Sequence, residues 1–406
     1  MSRKVQVKGT HLIHGDDEYR IGGNVAAPIS VSTTFISPRP DEEGITDYRN
    51  PSRHVYSRYT TPNSVRVEHL LSEINEGLAL AYASGLAAGF AALVFFKPKR
   101  IAFTDGYTGT KALLELYTKL VPDLKVIKLD DEFQAGDLVW LETPMNPTGE
   151  ATDIRYYADK VHRVGGKLLI DSTFAPPPLQ YPFNFGADCV MHSATKYFGG
   201  HSDMLAGVLI VRSKPEWDEL QHQRTYLALS VWLKSVAAST MLIAVGSLES
   251  WLLLRSLRTY HLRLARQSEN AIALVEWLQK VAQTPESEAF EGIPGGTVLR
   301  VWHSSLQTRD LRGFEPRMQM TGGWNATFSI QLAKPEYAAW LPHALKCFTP
   351  ATSLGGVESL AEYRASWDPY ADKRNVRLSV GVEDVEDLKQ DIRQALRRLI
   401  TEPSKL

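Results

Sequence analysis

LALAYASGLAAGFAALVFF, residues Leu78 to Phe96, is the stretch on which the fold turns. Its nineteen residues carry no charge, which brings the run close to bilayer-spanning length. Ten of the nineteen are Ala, Gly or Ser, however, and Ser84-Gly85 interrupts the run. Small residues around a Ser-Gly break fit a buried strand followed at once by a buried helix better than a membrane span. The run reads as one strand–helix unit of a soluble protein.

Outward from it, short apolar runs recur. After Ala79-Leu80-Ala81-Tyr82 come Ile101-Ala102-Phe103, Leu138-Val139-Trp140-Leu141, Leu168-Leu169-Ile170 and Cys189-Val190-Met191. Helix-like stretches lie between them, for example Asp153 to Arg163, with Asp153 or Thr152 as N-cap. This alternation predicts an α/β fold with a mostly parallel sheet covered on both faces, over residues 61–250. Residues 1–60, rich in Pro, Thr, Ser, Arg and Tyr, read as an extended N-terminal arm. Residues 251–406 form a smaller C-terminal domain. It opens on an amphipathic stretch from about Leu252 to Ala282, read as one helix joining the two domains. A Gly-, Pro- and Glu-rich segment, 283–320, reads as loop. A final helix carries Leu388, Ile392, Leu396 and Leu399 at helical spacing. Glu383, Asp384, Glu386 and Asp387 precede these leucines and Arg397-Arg398 follow, matching the helix dipole.

The chain's 45 Lys+Arg against 46 Asp+Glu leave no basic surplus, so neither nucleic acid nor a membrane is expected as a partner. Cys189 and Cys347 make no disulfide framework or metal spacing, and a reducing, cytoplasmic setting fits. The opening residues, Met1 to Gln6, show no signal-peptide core. The pairs His11/His14 and His192/His201 lack an acidic third ligand at a telling spacing, so no metal is expected. Residues Gly85 to Gly89 do not make a dinucleotide fingerprint, and there is no Walker-type loop or hydrolase nucleophile elbow.

In an open α/β sheet ligands bind beyond the carboxyl ends of the strands. The residues just after each apolar run are therefore the informative ones. They are Ala83 to Ala88, Thr104 to Thr110, Glu142 to Pro147, Asp171 to Phe174 and His192 to Tyr197. Gly85 and Leu86 open a helix whose free N–H groups suit a phosphate, although tight strand–helix turns use glycine in any case. Ser193 and Thr195 add hydroxyl donors, and Tyr107 offers a ring for stacking. Asp171 at the end of an apolar strand is compatible with a structural salt bridge or a helix cap. It is equally compatible with the partner of a pyridine nitrogen, holding that nitrogen protonated so that the ring accepts electrons. Lys196 sits among small hydroxyls and glycines; a desolvated amine there becomes a useful nucleophile or base.

Taken together these residues resemble the Cys/Met-metabolism, trans-sulfuration family of pyridoxal phosphate (PLP) enzymes. The resemblance runs from about Thr10 to the final helix. Its most specific segment is Ser193-Ala194-Thr195-Lys196-Tyr197-Phe198-Gly199-Gly200-His201-Ser202-Asp203. Pro28-Ile29-Ser30, Ser32-Thr33-Thr34-Phe35 and Tyr56-Ser57-Arg58 are similar to its N-terminal motifs. Ser353 to Leu360 and Arg377 to Gly381 are similar to its C-terminal ones. The resemblance implies the type I, aspartate-aminotransferase-like fold, with Lys196 carrying PLP covalently and moving protons. It implies Asp171, with Thr173 beside it, at the pyridine nitrogen and Tyr107 on the ring as a possible acid or base. Gly85, Leu86, Ser193 and Thr195 then hold the phosphate. Tyr56 and Arg58 reach the phosphate of a neighbouring subunit, so the protein is expected to be a homodimer or homotetramer with shared active sites. Arg377 clamps the substrate carboxylate, assisted by Asn146 and Ser353.

Three departures bear on the substrate. Ser172 stands where the family usually has Asn. Val55 precedes Tyr56 where cystathionine-handling members often carry an acid facing the distal amine. The stretch from Glu358 to Arg377 is short, and Ala361 to Asp368 replace the family's Met-Thr-His segment. The resulting expectation is γ-replacement on an activated homoserine, such as an O-acyl ester attacked by a thiol. β- or γ-Elimination from cystathionine or methionine is the alternative, and a non-catalytic binding protein a minor one.

Overall fold

The structure, a computed structural model, describes residues 7–20, 22–39, 41, 53–103, 106–227 and 244–401. Thr104 and Asp105 of the second strand end, the residues of the opening Met1 to Gln6, and parts of the expected arm lie outside this set. After α1 (Gly9–His14) and α2 (Pro62–Asn75), the Leu78–Phe96 run divides as its composition dictates, into β1 (Leu78–Tyr82) and α3 (Gly85–Phe96). Ser84 is the hinge between them: its Oγ accepts the Ala87 N–H at 3.0 Å and caps the helix.

The chain continues through β2 (Arg100–Phe103), α4 (Thr108–Leu120), β3 (Lys125–Ile127), β4 (Leu138–Glu142), α5 (Ile154–His162), β5 (Lys167–Asp171), β6 (Cys189–His192), β7 (Gly207–Val211) and α6 (Lys214–Leu227). The seven strands form one sheet in the order β1-β7-β6-β5-β4-β2-β3. Neighbours are parallel except around β7, which is antiparallel to both β1 and β6. Alternate residues of each strand pack on opposite faces. Leu138 and Trp140 join α3 and α4 in one core, while Val139 and Leu141 face the other. Burial on both faces is why these strands read as unbroken apolar runs. Asp153 caps α5 by accepting the Tyr156 N–H.

The expected long helix is two: α7 (Ser247–Leu257) and α8 (Tyr260–Gln283). Tertiary ties decide the break. Arg258 bonds Asp16 through both Nη1 and Nη2, and Arg263 donates to the carbonyls of Ser256 and Tyr197. The expected loop over 283–320 also needs correcting. It holds the β8 (Ala289–Phe290)–β9 (Ile293–Pro294) hairpin and β10 (Val298–Trp302). The last of these is an edge strand of a second sheet. That sheet is completed by β11 (Thr327–Leu332), β12 (Phe348–Pro350), β13 (Ser359–Tyr363) and β14 (Asn375–Ser379), in the order β10-β11-β14-β13-β12. α9 (Pro335–Ala344) packs against it, and α10 (Val385–Thr401) packs on α9 and α8. Among the described residues no helix is long and apolar enough to cross a membrane.

Candidate active site

The carboxyl ends of β1, β2, β4, β5 and β6 open onto one cavity of about 550 Å³, closed on its far side by the second sheet. That volume is in the range of small-molecule sites. Gly85, Leu86, Tyr107, Asn146, Asp171, Thr173, Ser193, Thr195, Lys196, Ser353 and Arg377 all line it. Tyr56 and Arg58 do not. They stack on one another, with the Arg58 guanidinium 4.8 Å from the Tyr56 ring centre, on an exposed part of the arm.

At one end lies the first turn of α3. A Cβ on Gly85 would come within 2.9 Å of the Ser193 Cβ, so glycine lets the helix terminus approach the turn after β6. The N–H groups of Gly85 and Leu86 have no protein acceptor among the described residues, and the Ser193 hydroxyl lies beside them. Thr195 is different: its hydroxyl donates to the Ala206 carbonyl at 3.1 Å and accepts the Ala206 N–H at 3.0 Å. Its one proton is thus engaged in holding the turn.

Asp171 ends β5, buried, with no cation beside it among the described residues. Its Oδ1 accepts both the N–H and the hydroxyl of Thr173, at 3.0 and 2.5 Å. The Thr173 hydroxyl in turn accepts the Ser193 N–H at 2.9 Å, tying the ends of β5 and β6 together. Burial pushes the Asp171 carboxyl up, against the pull of the Thr173 bonds. With Thr173 as its hydrogen-bond partner and no cation among the causes of its shift, this acid would suit a protonated ring nitrogen.

Glu142 was not singled out by the sequence, although it ends an apolar strand as Asp171 does and stands directly opposite it in the sheet register. Its Oε1 accepts the Asn146 N–H at 2.6 Å and its Oε2 the Tyr107 N–H at 2.9 Å. Burial, and next the charge of Asp171, raise its carboxyl to about 8. One side chain therefore positions two others: Tyr107, whose ring has room only because residue 109 is glycine, and Asn146.

Lys196 follows β6 in a tight turn, its Nζ 2.8 Å from the Ser353 hydroxyl. Burial, then the positive charge of Arg377, pull its amine down to about 8, with Glu362 pulling the other way. Arg377 stands on β14 directly across from Glu362 on β13. Its Nη2 meets Glu362 Oε2 at 2.5 Å and the Ser353 carbonyl at 2.7 Å, and its Nη1 meets Asn146 Oδ1 at 3.1 Å. Glu362, Arg364 and Trp367 also line the cavity. The sequence marked their stretch as unusual, but no periodicity or motif assigned them a place in the site.

A helix terminus for a phosphate, a buried acid without a cation, a ring at the mouth and a desolvated amine make a donor set that fits PLP. Comparison with known proteins agrees. The chain is 33% identical to a cystathionine gamma-lyase from Dictyostelium discoideum, covering 96% of this chain and 97% of that protein. It is 32% identical to a cystathionine gamma-synthase from Mycobacterium bovis, over 92% of each. The crystal structure of a methionine gamma lyase from Micromonospora echinospora superposes with a TM-score of 0.79 at 30% identity, covering 96% of this chain and 98% of that one. Residues 9–397 match the sequence profile described as Cys/Met metabolism PLP-dependent enzyme, and the chain belongs to that family.

Proposed function

We propose that the enzyme catalyses γ-replacement on an activated homoserine, an O-acyl ester attacked by a thiol or other nucleophile. The observation that carries this reading is the commitment of every acid that lines the cavity among the described residues. Glu142 is held by two backbone N–H groups, Asp171 by Thr173, and Glu362 by Arg377 and Arg364. None is left to pair with the distal ammonium of cystathionine, and Val55 in the arm cannot do so. The remaining lining at the mouth, Thr352, Leu205 and Trp367, is uncharged.

Bound PLP supplies an electron sink for the charge left on the substrate's α-carbon when its proton departs. The rest falls to the chain's own groups. Lys196, its amine more readily neutral than an ordinary lysine's, attaches the cofactor and afterwards moves the α-proton. Asp171 holds the ring nitrogen, Tyr107 covers the ring, and Gly85, Leu86 and Ser193 bind the phosphate, with Thr195 shaping the turn. Arg377, oriented by Asn146 and the Ser353 carbonyl, fixes the substrate carboxylate. Tyr56 and Arg58, which do not line their own chain's cavity, complete the phosphate site of a second subunit.

A second reading, elimination from a methionine-like substrate, draws on the same uncharged mouth. Incubation of the PLP-loaded enzyme with O-acetyl-L-homoserine, with and without a thiol, separates the two. Replacement predicts a thioether product that needs the thiol. Ammonia and a 2-oxo acid released at full rate without any thiol would overturn the first reading in favour of the second.

A further inference from the structure

Among the described residues lining the cavity, Arg364 is the one cation that the proposed reaction does not use. It opens the short turn after β13, within the stretch where the sequence departs from the family pattern, and is only 6% exposed. Its Nη1 lies 3.3 and 3.4 Å from the two oxygens of Glu362. Nη2 lies 4.0 Å from the Asp368 carboxylate, beyond hydrogen-bond reach. Nε is buried and has no hydrogen-bond partner among the described residues. One long edge of the guanidinium, the Nε–Nη2 side, therefore makes no hydrogen bond among the described residues, in a side chain that lines the cavity. Buried donors are rarely left so. That edge presents two parallel N–H groups, the geometry that accepts a carboxylate or phosphate side-on.

The neighbours sharpen the point. Glu362 is shared by Arg364 and Arg377, so this corner of the cavity holds two guanidinium groups against one fully buried carboxylate. Glu142 and Asp171 have their own partners, and Asp368 does not line the cavity. We infer that Arg364 is a specificity-determining residue whose Nε–Nη2 edge receives a second anionic group of the amino-acid substrate, beyond its α-carboxylate. This rests on the reading of the cavity as an amino-acid site. A carboxylate and a phosphate share the required chemistry.

Calorimetric titration of the PLP-loaded enzyme tests it, with three amino acids of matched length: L-norleucine, L-2-aminoadipate and 2-amino-5-phosphonopentanoate. Each is titrated into the wild type, Arg364→Gln and Arg364→Lys, with the cofactor's absorbance confirming that each variant is folded and loaded. The wild type should bind at least one dianionic ligand more tightly than norleucine, and which one identifies the group. Arg364→Gln should weaken that ligand about 10- to 100-fold, the loss of a charge-assisted hydrogen bond, and leave norleucine within a few-fold. Arg364→Lys, which keeps the charge without the fork, should fall between. An equal loss for norleucine would show that Arg364 merely steadies Arg377 for the α-carboxylate, and overturn the inference. No wild-type preference, or no change on substitution, would overturn it too. Failure of all three ligands to bind the loaded wild type would instead bring down the amino-acid-site reading itself.

Discussion

A lysine amine pulled down to about 8 changes when the site can be loaded. Only the neutral amine attacks an aldehyde, so capture of PLP by the apoenzyme should speed up as pH rises and level off above that value. An unperturbed lysine would level off only near its ordinary, higher pKa. Arg377→Gln removes the positive charge that helps depress the amine and leaves burial opposed by Glu362. The midpoint should then move upward, read from cofactor absorbance in stopped flow. An unchanged midpoint would leave burial as the sole cause. At this scale the sequence was readable where local context sufficed. Lys196, Asp171 and Tyr107 each follow an apolar run or sit in a recognisable motif. Arg364 and Glu362 were not readable in the same way, because their role depends on which strand lies opposite.

The elements tell a similar story. Strands buried on both faces announced themselves, and Leu78–Phe96 split where its Ser-Gly break placed the turn. β3 escaped because it is three residues long with Lys125 and Val126 exposed at the sheet edge. The α7–α8 break escaped because neither glycine nor proline marks it; buried pairing of Asp16 with Arg258, far away in sequence, sets it instead. β7 shows how tightly one element can depend on another. Gly207 pairs with Tyr82, and a Cβ there would lie 2.1 Å from the Ser84 carbonyl oxygen, which is backbone and cannot swing aside. Gly207→Ala should therefore cost about 2–4 kcal/mol in urea unfolding and loosen the α3 terminus, weakening PLP binding. Wild-type stability in this variant would mean that β7 and the α3 turn are not so closely packed.

For the whole molecule, the site spans two sheets: Lys196 and Asp171 come from the first, Arg377 and Glu362 from the second. Tyr56 and Arg58 belong to neither wall, which motivates a mixing experiment. Arg58→Ala and Lys196→Ala should each be nearly inactive. Unfolded together and refolded as a mixture, they should regain about a quarter of wild-type activity, since half the dimers are hybrids with one intact site. No recovery in a mixture shown to contain hybrids would mean that each chain builds its site alone. The second sheet has a consequence of another kind. β13 and β14 are antiparallel neighbours, with Glu362 and Arg377 directly opposed, and the chain between them is their hairpin connection. Residues can be added to or removed from that connection without sliding one strand along the other. The proposed carboxylate clamp is thus insulated from changes in the loop that carries Arg364 and Trp367. Evolution, or an engineer exchanging loops, can rewrite what the enzyme recognises here while the handle common to all amino acids stays where it is.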